Sequence, residues 1–250
     1  MVATRPRLTW RVATVRDIVP ETARVVSLVL DVPDWQGHRA GQHIDVRLTA
    51  EDGYQAQRSY SIASAPEEPW ITITVERLED GEVSPYLADE LRPGDFLELR
   101  GPIGGWFTWE TREGGPLLLV AGGSGIAPLM AMLRHRAAWR SPVPVRLLYS
   151  SRSAQDIIYR EELERLAAND PDLAVIHTLT RAQPKGWTGY RRRIDREMLN
   201  EIAWAPEERP RAFVCGPTPL VEAVATLLVD LGYDPASVKT ERFGPTGGRA

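Results

Sequence analysis

The sequence predicts a two-domain protein: an antiparallel β-barrel over residues 1–112, then an α/β domain with a parallel sheet over 113–250. Three observations carry this. Through the first hundred residues apolar side chains recur at every second position, the period of half-buried strands. Beyond residue 112 apolar strand-like runs alternate with helical stretches, which implies a parallel sheet with right-handed crossovers. Between the two regimes stands Gly114-Gly115-Pro116, a joint by composition.

In order along the barrel half, "TWRVATVRDI", "ARVVSLVLDV", "GQHIDVRLTA", "QAQRSYSIAS" and "WITITVERLE" each read as a strand, punctuated by Gly41, Glu51-Asp52-Gly53, Pro66 and Pro69. One short helical stretch, "SPYLADEL", interrupts them. In the second half, strands are expected at 117–121, 144–149, 173–179 and 211–215, with helices near 126–138, 159–168, 195–203 and 218–231. "SVKTERF" supplies a last strand, and no internal repeat is evident.

Composition narrows the function. At 250 residues, 43% hydrophobic and 26% charged, the chain has the make-up of an ordinary globular protein. Its net charge of −4 argues against nucleic acid as a partner. One cysteine, Cys215, excludes both a disulfide framework and an all-thiolate iron–sulfur cluster. His38, His43, His135 and His177 show no metal-ligand spacing, so no metal site is expected. "MVATRPRLTW" lacks the apolar core of a signal peptide and no run reaches the ~20 residues of a membrane span. A soluble, cytoplasmic protein, acting as a monomer, is expected.

The segment "LLLVAGGSGIAPLMAML" joins an apolar strand to an apolar helix through a glycine loop, where backbone N–H groups can receive a phosphate. No lysine is near, which rules out a P-loop, and Ile126 stands where a serine-nucleophile elbow needs glycine. The dinucleotide spacing is met at Gly123 and Gly125 and missed at Pro128, a residue suited to the first turn of a helix. A plain tight strand-to-helix connection is the other reading of this loop. In "LEDGEVSPYLADEL", Gly81 precedes Ser84 as N-cap and Pro85 as first helical residue. This is either a well-capped helix or a pyrophosphate seat. In "RSYSIAS", Arg58 and Tyr60 share one strand face and Ser59 and Ser61 the other. Such a set can hold a phosphate, stack on a flat ring and bond to its edge, or simply form an exposed sheet face.

Taken in order, "RSYSIAS", "GEVSPYL", "GPIGGWF", "GGSGIAP", "CGP" and "ERF" resemble the ferredoxin–NADP reductase superfamily over nearly the whole chain. The resemblance implies a flavin-binding barrel and a nicotinamide-nucleotide domain, with hydride passing between them. FAD is the expected flavin, ahead of FMN. Arg58 would hold the flavin phosphate, Tyr60 would stack on the isoalloxazine, and Ser61 would bond near its N5. Gly81, Val83 and Ser84 would cradle the pyrophosphate, approached through "VERLEDG" with Val75 and Arg77. Gly123 and Gly125 would line the nucleotide's path, and Cys215 and Gly216 would lie by the nicotinamide. Glu241 and Phe243 would face the flavin, and Ser61, Cys215 and Glu241 form the expected catalytic set, Cys215 for positioning rather than attack. Trp106, in "GPIGGWF", is the tryptophan to watch. The tail "GPTGGRA" could fold over the flavin or hang free, and the clustered cysteines of relatives with a fused iron–sulfur domain are absent.

An NAD-type site carries a carboxylate at the end of its second strand. Here that strand ends in Ser150-Ser151-Arg152, and the next brings Thr180 and Arg181 to the same edge. Two arginines with hydroxyls suit a 2′-phosphate, so NADPH is expected to be preferred over NADH. The expected activity is transfer of electrons from NAD(P)H through FAD to a ferredoxin or another one-electron acceptor protein. The alternatives are a flavin reductase or diaphorase, and a flavin-binding sensor.

Overall fold

Strand β1 (Arg11–Thr22) pairs antiparallel with β2 (Val25–Asp31). With β3 (His43–Thr49), β4 (Gln55–Ser61), β5 (Ile71–Glu76) and β6 (Phe96–Ile103), these form a six-stranded sheet in the order β4-β3-β6-β1-β2-β5. The computed structural model describes residues 8–244, and the tail from residue 245 lies outside them. An antiparallel bridge between Ile62 and Ile73 joins the two ends of the sheet. Ala13, Val15, Leu28, Leu30, Ile44, Val46, Ile73, Val75 and Leu99 fill its interior.

The sequence reading passes over β6, which lies between β3 and β1. Its alternation is brief: Leu97 and Leu99 are buried, while Phe96 stands exposed and Gly101-Pro102 reads as a turn. The expected cap on "SPYLADEL" is also corrected. The helical turn Tyr86–Glu90 has only five residues, is preceded by Pro85, and has no side-chain cap. Ser84 Oγ instead accepts from the backbone N–H of Leu78 at 3.1 Å, and so ties the preceding turn together.

The second sheet is parallel, in the order β11-β10-β7-β8-β9, from β7 (Leu117–Gly122), β8 (Val145–Ser151), β9 (Leu173–Leu179), β10 (Arg211–Pro217) and β11 (Val238–Phe243). Central β7 is buried at all six positions, as a strand covered on both faces must be. Helices α1 (Ile126–Ala138) and α2 (Arg160–Asn169) cover one face. Helices α3 (Arg196–Ile202) and α4 (Thr218–Asp230) cover the other. No helix among the described residues is long and apolar enough to cross a membrane.

The two sheets are joined by a buried polar seam. Strand β5 is buried on both faces: Ile71, Ile73 and Val75 point into the barrel, while Thr72 and Thr74 turn towards the second domain. Tyr159, at φ 58° just before α2, hydrogen-bonds Thr74 through its hydroxyl, with Ser27 Oγ 3.4 Å away. Ser27 donates to Glu21 at 2.7 Å, and Glu21 accepts the Tyr159 backbone N–H at 3.3 Å. Burial pushes the Glu21 carboxyl above its usual range. Arg134 of α1 donates to both Glu162 oxygens (2.9 and 2.7 Å) and to the Ala63 carbonyl of the barrel (2.8 Å). Tyr159→Phe is expected to cost about 1–3 kcal/mol in urea unfolding, because it strands a buried hydroxyl. Adding Thr74→Val should restore part of that loss, since two apolar partners leave less unsatisfied.

Candidate active site between the barrel and the nucleotide sheet

On the barrel side, β4 presents three of the expected residues. Arg58 is exposed and donates through Nη2 to Glu82 at 2.6 Å and through Nη1 to the Gln57 carbonyl at 2.7 Å. Glu82 also accepts from the Tyr54 hydroxyl at 2.9 Å, and these two donors hold its carboxyl below the usual range. Tyr60 lies half-buried on the barrel core, its phenol pushed up to about 12 by burial. Ser61 is buried, and its Oγ has no hydrogen-bond partner. Val75 is buried in β5, whereas the Arg77 guanidinium donates to Asp89 at 2.6 Å. Val83 is buried and accepts from the Leu87 N–H, while Gly81 closes the turn by donating to the Leu78 carbonyl at 3.0 Å.

On the nucleotide side, Gly123 and Gly125 bound a single 3₁₀ turn between β7 and α1. Gly123 has φ +54° and accepts from the Tyr149 hydroxyl at 3.0 Å. A Cβ on Gly125 would stand 2.3 Å from the Cys215 carbonyl oxygen, so only glycine lets this turn rest on β10. Gly216 faces the Gly122 backbone, where a Cβ would stand 3.1 Å away.

Cys215 is the register partner of Glu241 on β11, so both side chains project to one side of the sheet. Burial, and then the Glu241 charge, push the Cys215 thiol well above its usual value, leaving no thiolate for nucleophilic work. Burial likewise pushes the Glu241 carboxyl up to about 7. Its Oε2 has no hydrogen-bond partner, and Oε1 lies 3.8 Å from His43 Nδ1. His43 is in turn the cross-strand partner of Ser61, and burial holds its imidazole below the usual range. A cavity of about 200 Å³, lined by Gly41, His43, Gly104, Trp106, Thr240 and Glu241, lies between the two domains. Trp106 is 60% exposed at this cavity, with Lys239 Nζ 5.7 Å from its ring centre. Phe243, half-buried and paired with Pro217, packs on the core beside α1.

The remaining expected residues gather at a different edge. Arg181 donates its N–H to the Arg152 carbonyl at 2.9 Å, and Thr180 donates its N–H to the Ser151 carbonyl at 3.0 Å. The Thr180 hydroxyl also turns to that carbonyl, and the Ser151 hydroxyl is buried without a partner. Both arginines are exposed, and among the described residues neither makes an ion pair. Of the expected catalytic set only Glu241 lines the cavity; Ser61 and Cys215 lie one strand away as the register partners of His43 and Glu241, and the arginine pair stands apart at the carboxyl ends of β8 and β9. His43 and Glu76, which touches the glycine loop, escape the sequence reading. "GQHIDV" and "TVERLE" give only strand alternation, and it takes cross-domain packing to put these side chains at the site.

Two family models divide the chain between them: an oxidoreductase FAD-binding domain over residues 11–108 and an oxidoreductase NAD-binding domain over 119–226. The class is therefore a flavoprotein oxidoreductase using FAD and a nicotinamide nucleotide. The chain is 36% identical over 210 residues to ferredoxin–NADP reductase B of Sorangium cellulosum, covering 82% of this chain and 84% of that one. It is also 36% identical over 234 residues to the glycine betaine monooxygenase reductase subunit of Pseudomonas aeruginosa, covering 92% of this chain and 63% of the relative, so it spans less than two thirds of that protein. Among solved structures, the FAD/NAD-binding domain of the Vibrio cholerae nitric oxide dioxygenase superposes with a TM-score of 0.83 at 29% identity, covering 94% and 99% of the two chains. The chain belongs to the ferredoxin–NADP reductase superfamily.

The raised Glu241 carboxyl sets a pH dependence of stability. Between the ordinary value of 4.5 and about 7 the folded state keeps a proton that the unfolded chain has lost, so stability falls as pH rises through that window and levels off above it. Relative to Glu241→Gln, the wild type should lose on the order of 3 kcal/mol across the window. Denaturant midpoints of both proteins from pH 4.5 to 8 measure it, and parallel curves would contradict the assignment.

Proposed function

We propose that this reductase takes hydride from NADPH and delivers single electrons, by way of FAD, to a separate redox protein of the ferredoxin type. The observation that carries the reading is a pair of orphaned buried polar groups, one from each domain, of which one lines the cavity and the other sits on the neighbouring strand. One is the unpartnered carboxyl oxygen of Glu241, and the other is the Ser61 hydroxyl, cross-strand to the cavity-lining His43. A flavin edge, which offers both donors and acceptors, matches that pair. A flavin held there would supply hydride acceptance and the stepwise release of two electrons.

The chain's own residues position and protect that chemistry. Tyr60 gives a flat, half-buried platform, and Arg58 offers its remaining donors to the flavin phosphate beside Glu82. The turn with Gly81, Val83 and Ser84, reached through Val75 and Arg77, forms the wall for the diphosphate. Glu241, near its midpoint at neutral pH, can take up or return a proton, while Cys215 stays a neutral thiol and fills space beside the nicotinamide. Gly125 and Gly216 let the nucleotide loop come down on Cys215. Phe243 closes the sheet end next to this region. A division at residues 112/113 assigns Ser61 and His43 to one domain and Cys215 and Glu241 to the other. The one-electron acceptor is supported by relatives named as a ferredoxin–NADP reductase and a monooxygenase reductase subunit.

The purified protein is expected to be yellow with FAD. Arg58→Ala should weaken flavin retention about ten- to a hundredfold, the value of one charged phosphate contact. Steady-state oxidation of NADPH and NADH with a ferredoxin, with ferricyanide and with free flavin then tests the acceptor. The reading expects ferredoxin to support turnover and free flavin to support little, whereas the reverse identifies a flavin reductase. Arg152→Ala and Arg181→Ala should each lower kcat/KM for NADPH about ten- to a hundredfold and leave NADH little changed. Equal or better use of NADH by the wild type, with no selective loss in either variant, overturns the NADPH preference.

A further inference from the structure

Both arginines that the reading above brings to the flavin phosphates are already paired with carboxylates. Arg58 donates through Nη2 to Glu82 Oε2 at 2.6 Å and through Nη1 to the Gln57 carbonyl at 2.7 Å. Arg77 donates through Nε to Asp89 at 2.6 Å. Glu82 stands between Gly81 and Val83, and its second oxygen accepts from the Tyr54 hydroxyl at 2.9 Å. These two donors, Tyr54 and then Arg58, hold the Glu82 carboxyl below its usual range, so it is ionised at neutral pH. The backbone of the turn is tied separately, by the Leu78 N–H on Ser84 Oγ and the Gly81 N–H on the Leu78 carbonyl. The exposed Glu82 side chain can therefore swing while the turn stays in place.

A guanidinium grips a phosphate best through two of its three nitrogens at once. In Arg58 both terminal nitrogens already donate, so every such pair includes at least one that is engaged. Two outcomes exist when a phosphate arrives. Either it displaces the Glu82 carboxylate, which gives up its ion pair, or the two anions share one guanidinium. In the second case they stand within about 6 Å of each other and repel. Both outcomes subtract from phosphate affinity, and both trace to the Glu82 charge. Stability does not account for the pair, since an ion pair this exposed contributes little to folding.

We propose that Glu82 is a resident counter-anion of the flavin seat: it competes with the flavin phosphate for Arg58 and sets flavin affinity below what the same seat would otherwise give. The inference rests on the flavin reading given above and adds to it a residue that acts against binding. Its effect falls on the phosphate alone. FAD and FMN, which carry phosphate, should therefore respond to its removal, and riboflavin, which carries none, should not.

Glu82→Gln, nearly isosteric and uncharged, is the test. The full chain is stripped of flavin and titrated with FAD, FMN and riboflavin, with flavin fluorescence reporting binding. Glu82→Gln should bind FAD and FMN about three- to thirtyfold more tightly than the wild type, the effect of removing one nearby like charge at a partly screened site. Riboflavin affinity should stay within about twofold. In an Arg58→Ala background the same substitution should change FAD affinity by no more than about twofold, because the group the two anions compete for is gone. Unfolding midpoints show whether each variant keeps its fold. Unchanged or weaker FAD binding in Glu82→Gln overturns the inference. So does riboflavin tightening as much as FAD, and so does a gain that persists in full without Arg58. A wild type and variants that bind none of the three flavins defeat the flavin reading itself, and this inference with it.

Discussion

The hydrogen-bonded seam around Tyr159 fixes how the barrel and the nucleotide sheet face one another, and every contact across the cavity depends on it. Oxidoreduction between two bound rings needs their planes held at a set distance and tilt, and here the two binding halves belong to different sheets. Apolar packing of Val25, Ala40 and Ala63 against the α1 core gives the interface its adhesion but little direction. The hydroxyls of Thr74, Ser27 and Tyr159, the Glu21 carboxylate and the Arg134 fork give direction, because each satisfies its partners in only one register. A non-glycine residue at φ 58° is held there by bonds from both its backbone and its hydroxyl.

The cavity's electrostatics follow from the same arrangement. A carboxyl buried without a cation keeps its proton to about pH 7, and the imidazole 3.8 Å away is held neutral by its own burial. Below about pH 7 the pair meets as two neutral polar groups, not as an ion pair, and the centre of the molecule avoids the cost of a desolvated charge. What remains are unmet hydrogen-bonding demands at Ser61 and Glu241. Such demands are tolerated in a folded protein where a ligand meets them.

Much of the fold could be read from the sequence, since two hydrophobic periods follow one another along the chain and ten of the strands carry their own pattern. Strand β6 could not, because Leu97 and Leu99 alone are too short a pattern and Gly101-Pro102 mimics a turn. Local rules also misplace the Ser84 hydroxyl: its serine-proline context signals a helix cap, but the tight turn at Gly81 offers the Leu78 N–H as a nearer donor. Among the candidate site residues, Arg58, Tyr60, Cys215 and Glu241 stand out in the sequence because the motifs that carry them are contiguous. His43 and Glu76 do not, since each owes its place to a residue on the other domain, Glu241 for one and Ser124 for the other. Contacts of that kind are written in no local stretch of chain.

The close approach of Gly125 to Cys215 has a kinematic consequence. With 2.3 Å between a notional Cβ and the carbonyl oxygen, the turn and the strand beneath it have no clearance and move as one piece. Cys215 is bound in register to Glu241 on one side and to Ala121 on the other, so the piece extends across three strands. Glu241, at the far side of that piece, lines the cavity, so the glycine turn and the cavity are backed by one continuous wall.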